Sequence, residues 1–334
     1  MKKVAINGFG RIGRLAFREL ITSKEIDIVA INDISDAETL SYLLKYDTSH
    51  RSYHEDKISF VDNYIVINNI KKVQVLSEKD PACLPWRELE IDLVIECTGL
   101  FTSEEKANKH ILAGAKKVLI SAPAKGDIKT VVYNVNDNIL DGTEKIVSAA
   151  SCTTNCLAPV LKVIDDNFKI EKGYMTTVHA YTNDQTTLDV PHKKGIISRR
   201  GRAAAQNIVP ATTGAASAIG LVIPSLKGKM DGNAYRVPVC DGSIVDITLE
   251  LSKPTSIEEI NLLLTSNQND TLKVTKDPIV SSDVIGKKSG ALVDLLSTKV
   301  LDVEGKQLIK VVAWYDNEMG YTAQMIRLAK KLMK

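Results

Sequence analysis

The sequence has few cysteines and aromatic residues and no long apolar run, and the cysteine count and the missing apolar run each exclude a class of protein. Among 334 residues there are five cysteines, and aromatic residues make up 5%. An odd, sparse set of thiols does not suit a disulfide-stapled secreted domain. No apolar run approaches membrane-spanning length. A net charge of +2 without a long lysine run gives no indication of nucleic-acid binding.

The N-terminal residues MKKVAINGFG lack the apolar core and the small-residue cleavage site of a signal peptide. We therefore expect reduced thiols and a cytoplasmic protein. Charged residues make up 25% and hydrophobic residues 44%, which is typical of an ordinary globular protein. A chain of this length is expected to form two domains, each with its own core.

Three glycines follow the strand-like run KKVAIN and precede a helical pattern. Their GxGxxG spacing is typical of a dinucleotide-binding turn. Gly8 is expected to permit the tight turn, Gly10 to let a pyrophosphate approach the backbone, and Gly13 to let helix and strand pack closely. The amides of Arg11 and Ile12, at the start of the helix, would then face the phosphates.

A second strand-like run, 28–31, leads to Asp33, twenty residues beyond the last glycine. A carboxylate there accepts hydrogen bonds from the adenosine ribose and repels a 2′-phosphate, so NAD is favoured over NADP. Further runs predict strands at 64–67, 91–95, 117–120, 130–133 and 146–150, with a helix at 103–113. Ser121 directly follows one of these strands, at the end where an open parallel sheet forms its ligand crevice.

The stretch ASCTTNCLAP places Cys152 and Cys156 one helical turn apart. A disulfide at this spacing is geometrically awkward, and zinc would need two further ligands that the neighbourhood lacks, so no metal site is expected. A nucleophile and a buried structural sulfur remain as the alternatives. With Ser151 as N-cap, Cys152 would lie at a helix N-terminus that lowers its pKa, whereas Cys156 would be packed inside.

A thiolate nucleophile needs a base, and the chain has five histidines. His179 ends the strand-like stretch YMTTVHAYT and is the candidate; His110 and His192 are expected to be solvated. Cysteine, histidine and NAD together favour aldehyde oxidation through a hemithioacetal and a thioester, since a thioester keeps the acyl group activated for transfer.

The motifs NGFGRIGR, ASCTTNCLAP, HAYTNDQ, ATTGAA, YRVPV and WYDNE occur in this order over essentially the whole chain. Together they resemble the phosphorylating glyceraldehyde-3-phosphate dehydrogenase family. The resemblance implies oxidation of D-glyceraldehyde 3-phosphate to 1,3-bisphosphoglycerate, a glycolytic step, with Cys152 as nucleophile and His179 as its activator. It also implies two anion pockets, one for the substrate phosphate and one for inorganic phosphate.

The resemblance assigns further residues. Those around the phosphates and the reacting carbon are Ser151, Thr153, Thr182, Arg200, Thr213, Gly214 and Arg236. Arg199 is an alternative to Arg200 because the loop at 181–208 is slightly longer than is usual in the family. Asn317 is implied as the ligand of the nicotinamide carboxamide, and Ser77 as a main-chain contact beside the adenine.

The fold expected is a Rossmann-type NAD-binding domain, residues 1–150, with the C-terminal helix, about 316–334, returning to it. Residues 151–315 would form an α+β catalytic domain with a mainly antiparallel sheet. The resemblance also implies a homotetramer. Two alternatives stay open: an erythrose-4-phosphate dehydrogenase on the same scaffold, and a non-catalytic NAD-binding or adhesion protein.

Overall fold

A computed structural model describes residues 1–334, which divide into two compact units. The N-terminal unit contains residues 1–133, 137–150 and 325–334, and the central unit contains 134–136 and 151–324. The boundary between them near the C-terminus lies at Met325, inside the last helix, rather than at 316. None of the helices is long and apolar enough to cross a membrane.

The N-terminal unit is built on an eight-stranded sheet in the order β3-β4-β5-β2-β1-β6-β7-β8. The strands are β1 Lys2–Asn7, β2 Ile26–Asn32, β3 Ile58–Val61, β4 Tyr64–Ile67, β5 Lys71–Leu76, β6 Leu93–Glu96, β7 Lys117–Ile120 and β8 Ile146–Ser148. All neighbouring strands from β5 to β8 run parallel, and β4 pairs antiparallel with both β3 and β5. The order turns back at β1 and β6, which is the switch point of a doubly wound sheet.

Three helices connect these strands: α1 Arg11–Leu20, α2 Ala37–Lys45 and α3 Glu104–Leu112. Asp36 caps α2 by accepting from the Thr39 amide, and Ser103 caps α3 by accepting from the Lys106 amide. Each cap satisfies one of the amides that a helix start leaves without a partner. The buried face of the sheet around Trp86, which is fully enclosed, forms a continuous hydrophobic cluster.

Residues 130–133 do not form the predicted strand. Only Thr130 makes an isolated bridge, to Ser148, and the chain turns at Asn134, whose φ is +60°. Val131 and Val132 are nevertheless fully buried. Their apolar character therefore reflects core packing, and the run is too short before its turn to extend the ladder.

The central unit is a second eight-stranded sheet with helices packed on it. Its strands are β9 Ile170–Ala180, β10 Val209–Thr212, β11 Met230–Val237, β12 Ser243–Leu251, β13 Leu272–Thr275, β14 Ala291–Asp294, β15 Lys299–Val303 and β16 Lys306–Tyr315. The helices are α4 Cys152–Phe168, α5 Ala215–Val222, α6 Ile257–Ser266 and α7 Met319–Leu332, whose last part belongs to the N-terminal unit. Most strand pairs are antiparallel; β9 with β11 and β13 with β14 are the parallel exceptions.

Candidate active site

The glycine-rich turn between β1 and α1 has two glycines that the protein's own packing requires. Gly8 has a φ of +91°, and a Cβ there would lie 2.7 Å from the Thr98 amide nitrogen. A Cβ on Gly13 would lie 2.1 Å from the Gly8 carbonyl oxygen. A Cβ on Gly10, in contrast, would meet nothing within 4 Å. The space beside Gly10 is therefore open to a ligand rather than filled by protein.

The N-terminus of α1 suits an anion. Its N-cap, Gly10, offers no side-chain acceptor, and the first turn contains no acidic residue. The Arg11 guanidinium pairs with Asp47 at 2.5 Å, so the contribution of Arg11 and Ile12 to a ligand would come from their main chain. A pyrophosphate placed here would meet the positive end of the helix dipole.

Three predicted cofactor residues follow the carboxyl ends of parallel strands. Asp33 comes directly after β2 and is half-buried; its carboxylate accepts from the Phe9 amide at 2.8 Å and from the Ser35 amide at 3.0 Å. Ser77 follows β5 and is exposed, and Ser121 follows β7 and is half-buried. The structure thus brings all three to the edge where a doubly wound sheet binds its ligand.

In the central unit the thiol of Cys152 lies 3.4 Å from Nε2 of His179. Cys152 is the first residue of α4, and its N-cap Ser151 accepts from the Thr154 amide. His179 stands near the end of β9 and is buried. A helix start and a strand end therefore place nucleophile and base in direct contact.

The hydrogen bonds of His179 define its tautomer. Nδ1 lies 2.7 Å from the Ala180 carbonyl oxygen, which can only accept, so the proton is on Nδ1. Arg236 approaches the same nitrogen at 3.2 Å but donates to the Ala180 carbonyl at 3.1 Å. Nε2 is consequently the acceptor nitrogen, and it faces the Cys152 thiol as a base must.

The expected lowering of the Cys152 pKa at the helix N-terminus is wrong for this structure. Burial of the thiol raises its pKa, and the Arg236 charge together with local amide and hydroxyl hydrogen bonds offsets only part of that shift. Burial, and then the nearby Arg236 charge, lower the pKa of His179 to about 3. Both shifts favour a thiol and a neutral imidazole in the resting pair, because at the thiol desolvation outweighs the Arg236 charge and the local hydrogen bonds.

Cys156 lies one turn further along α4 and is fully buried. Its sulfur is 4.0 Å from the carbonyl oxygens of Ala313 and Trp314, and burial raises the pKa of its thiol well above the usual value. It has the environment of a packed apolar residue rather than that of a nucleophile.

A chain of polar contacts leads from His179 to two arginines. Arg236 donates to Thr182 Oγ1 at 2.9 Å, and the Thr182 hydroxyl donates to Asp184 at 2.5 Å. Asp184 in turn pairs with the guanidinium of Arg200. Arg200 is buried within this cluster whereas Arg199 is exposed, so the structure favours Arg200 as the residue that joins the site.

The residues predicted for the attacking phosphate lie at two helix starts. Ser151 is the N-cap of α4 and Thr153 lies in its first turn, and the Ser151 hydroxyl lies 2.7 Å from that of Thr154. Gly214 is the N-cap of α5, and Thr213 Oγ1 accepts from the Ala215 amide at 3.2 Å. Thr213 and Gly214 also line an open cleft together with Arg199 and Arg200.

Asn317 is buried, and its side chain is oriented by a hydroxyl. Ser243 Oγ accepts from the Ala180 amide at 3.1 Å and donates to Asn317 Oδ1 at 2.6 Å. This contact connects Asn317 to the backbone beside His179.

The comparison with known proteins decides the family. The NAD binding domain model of glyceraldehyde 3-phosphate dehydrogenase matches residues 2–104, and the C-terminal domain model matches residues 151–317. The chain belongs to the glyceraldehyde-3-phosphate dehydrogenase family. It is 55% identical to the glyceraldehyde-3-phosphate dehydrogenase of Clostridium pasteurianum over 334 residues, covering 100% of this chain and 99% of that protein.

Two further relatives carry the same name. The protein of Clostridium acetobutylicum is 55% identical over 327 residues, which is 98% of this chain and 97% of the relative. That of Streptococcus pyogenes serotype M1 is 50% identical over 333 residues, which is 99% of this chain and 98% of the relative. The family expected from the sequence motifs is confirmed, and with it an NAD-dependent oxidoreductase built from a Rossmann domain and a catalytic domain.

Sequence reasoning missed two residues of this dehydrogenase site. The Tyr315 hydroxyl lies 2.9 Å from Thr153 Oγ1 and 2.8 Å from Thr177 Oγ1, and its ring packs edge-on against His179. Asp184 bridges Thr182 and Arg200. Both lie inside recognised motifs, WYDNE and HAYTNDQ, but only the folded structure shows which side chains of a motif point inward.

The expectation that His110 and His192 are solvated is wrong. His110 is fully buried between Trp86 and Glu96, because α3 turns it toward the sheet. His192 is half-buried, with Nε2 2.9 Å from the Asp184 carbonyl oxygen.

Proposed function

We propose that the chain oxidises D-glyceraldehyde 3-phosphate with NAD and inorganic phosphate to give 1,3-bisphosphoglycerate. The observation that carries this proposal is the 3.4 Å contact between Cys152 Sγ and the acceptor nitrogen of His179. Relatives that the chain matches over 99% and 97% of their length are named glyceraldehyde-3-phosphate dehydrogenase. A thiol and a neutral imidazole in contact are equipped to add to an aldehyde.

The central unit's own residues perform the acyl chemistry. As the Cys152 sulfur bonds to the aldehyde carbon, its proton moves to His179 Nε2, and a hemithioacetal forms. The protonated His179 returns that proton to the former aldehyde oxygen, and then takes it back from the hydroxyl while the carbon gives up a hydride, which leaves a thioester on Cys152. Inorganic phosphate attacks the thioester carbon, the carbon–sulfur bond breaks, and the acyl phosphate departs.

The polar cluster beside His179 is proposed to bind the substrate phosphate. Arg236, Thr182 and Arg200 present two guanidinium groups and a hydroxyl, the donors that a phosphate dianion needs. Ser151, Thr153, Thr213 and Gly214 are proposed to receive the attacking phosphate at the starts of α4 and α5, where helix amides favour an anion.

NAD, when bound, supplies the acceptor for the hydride. The N-terminal unit fits such a cofactor, because Gly10 leaves an open cradle and α1 has neither a side-chain cap nor an acidic first turn. We assign Gly8, Gly10, Arg11, Ile12, Gly13, Asp33, Ser77 and Ser121 to its binding. Asn317, with its carboxamide oriented by Ser243, is proposed as the contact of the nicotinamide amide.

Asp33 is proposed to set the cofactor preference. Its charge repels a 2′-phosphate by several kcal/mol at most, and by about 1 kcal/mol when water screens the pair. We expect kcat/KM to favour NAD over NADP by about tenfold or more, and Asp33→Ala to narrow the gap. Because Asp33 also accepts from the Phe9 amide, the variant should bind NAD more weakly. Equal efficiencies with both cofactors in the wild type would contradict the assignment.

An erythrose-4-phosphate dehydrogenase on this scaffold would release an acid to water instead of an acyl phosphate. NADH formation should therefore be followed with each sugar phosphate, with and without inorganic phosphate. We expect turnover of glyceraldehyde 3-phosphate to require inorganic phosphate. Phosphate-independent turnover with a preference for erythrose 4-phosphate would overturn the proposal, and absence of turnover with both sugars would favour a non-catalytic role.

The homotetramer and the cytoplasmic location also remain proposals. The first is supported by the exposed apolar side chains of the loop at 181–208, among them Leu188, Ile196 and Ile197. Light scattering that gives the mass of one chain would contradict it. The location is supported by the sparse, unpaired cysteines.

A further inference from the structure

Three neighbouring strands of the N-terminal sheet end in polar residues whose side chains are joined. Asn32 ends β2, Asn7 ends β1 and Glu96 ends β6, and the strand register places Asn7 opposite both of the others. All three are at least 95% buried. We call Asn32, Asn7 and Glu96 the terminal row. It lies at the switch point of the sheet, beneath the edge where a doubly wound fold binds its ligand.

The hydrogen bonds of His110 show which atoms donate and which accept at one end of the row. The Trp86 indole N–H can only donate, and it donates to His110 Nδ1 at 2.9 Å. His110 therefore carries its proton on Nε2, which donates to Glu96 Oε2 at 3.1 Å. The second carboxylate oxygen accepts from the amide and the hydroxyl of Thr98. Glu96 is surrounded by donors and acts as a pure acceptor.

This acceptor determines the direction of every other bond in the row. Asn7 reaches Glu96 through Nδ2, at 2.5 Å, so its Oδ1 must accept, and Asn32 Nδ2 donates to it at 2.7 Å. The same orientation lets Asn32 Oδ1 accept from the Glu78 amide at 2.8 Å and Asn32 Nδ2 donate to the Glu78 carbonyl at 2.9 Å. The carboxylate after β6 is thus connected through two asparagines to the loop after β5, three strands away.

The loops that the row holds are those of the cofactor edge. At one end Glu96 binds Thr98, whose amide nitrogen lies where a Cβ on Gly8 would touch it. At the other end Asn32 binds Glu78, next to the predicted cofactor residue Ser77. We propose that Glu96, oriented by His110 and Trp86, is a positioning residue that fixes the cofactor loops at both ends of the row. This proposal rests on the proposed NAD site.

The test uses Glu96→Gln in the full chain. The glutamine amide has nearly the same shape as the carboxylate, but its NH₂ group would face the donors that now bind Glu96. We expect at least a fivefold rise in the dissociation constant for NAD and in KM for NAD. Hydrogen exchange at the Glu78 amide should accelerate, although Glu78 does not touch Glu96. Alkylation of Cys152 without cofactor should be unchanged, since that thiol belongs to the other unit.

Asp92→Asn is the matched control. This substitution also removes a carboxylate. Asp92, however, lies just before β6, at the opposite end of that strand from Glu96, and binds the Lys3 amide and Lys116. We expect it to leave NAD binding and Glu78 exchange unchanged. Unchanged NAD binding in Glu96→Gln would overturn the inference, and so would an equal loss in both variants.

A second variant covers the case in which Glu96→Gln fails to fold. Thr98→Val removes one hydroxyl that donates to Glu96 and keeps the volume. It should weaken NAD binding two- to threefold while Glu78 exchange stays slow, because the rest of the row remains intact. Wild-type affinity of Thr98→Val for NAD would contradict the proposal that Glu96 positions the loop at Thr98. Wild-type protein that binds no NAD would refute the proposed function instead.

Discussion

At the scale of single residues, two cysteines four positions apart have different environments because one begins a helix and the other is inside it. Cys152 touches His179, and Cys156 faces carbonyl oxygens in a fully buried position. The difference in chemistry is therefore a difference in position along α4.

Serine substitution separates the two roles. Cys152→Ser should abolish aldehyde oxidation and leave NAD binding unchanged, because the cofactor residues belong to other segments. Cys156→Ser should keep most of the activity while losing about 1–3 kcal/mol of stability, since it buries a hydroxyl. Steady-state rates, NAD titration and urea unfolding of both variants provide the check. Equal loss of activity in the two would show that the division is wrong.

Arg236 controls the reactivity of the thiol through its charge. It opposes the burial that raises the Cys152 pKa, so removing it should raise that pKa further. In Arg236→Gln the rate of Cys152 alkylation should rise with pH along a curve displaced to higher pH, and at pH 8 it should be several-fold slower. Iodoacetamide labelling across pH 6 to 10 measures this. A curve displaced to lower pH would contradict the role of the charge.

At the scale of elements, the sequence predicted those whose pattern is local. The GxGxxG turn was predicted from glycine spacing, and β4, β7 and α3 from apolar runs and helical patterns; the structure has them at or close to the predicted bounds. The strand at 130–133 was not distinguishable from a buried turn, because burial and pairing give the same apolar signal. The polar contacts of the site, such as those of the Tyr315 hydroxyl with two threonines, join segments that are far apart in the sequence. The spacing of residues within one segment cannot predict them.

Two glycines of the turn offer a matched pair at this scale. Gly10→Ala places a methyl group in open space, so it should leave thermal stability within a few degrees but weaken NAD binding by about tenfold or more. Gly13→Ala drives a methyl group into the Gly8 carbonyl, so it should lower both stability and NAD affinity. Thermal unfolding and NAD titration distinguish them. Normal NAD binding by Gly10→Ala would contradict the assignment of the open space beside Gly10 to the cofactor.

At the scale of the whole molecule, the central unit contains a histidine that folding keeps neutral. Burial lowers the His179 pKa to about 3, whereas an unfolded histidine titrates near 6.5. Between these values the unfolded chain binds the proton and the folded chain does not, so stability falls as the pH drops below about 6.5.

The expected slope from this one group approaches about 1.4 kcal/mol per pH unit. His179→Gln should remove it, and the free energy of unfolding of the central unit should then depend less on pH between 6.5 and 4. Urea unfolding at several pH values, monitored by a probe in the central unit, gives the slope for both proteins. Identical slopes would mean that His179 takes up a proton in the folded protein as readily as in the unfolded chain.

The terminal row also protects the protein against deamidation. Asn7 is followed by Gly8, the sequence in which the glycine nitrogen most readily attacks the asparagine side chain and expels ammonia. In the fold that nitrogen donates to the Asn32 carbonyl at 2.8 Å, and the Asn7 amide is held on both sides. Folding therefore protects a thermolabile site. In molecules kept unfolded by heat, deamidation would convert Asn7 to aspartate or isoaspartate and place a second carboxylate opposite Glu96, and we expect such molecules to bind NAD more weakly after refolding.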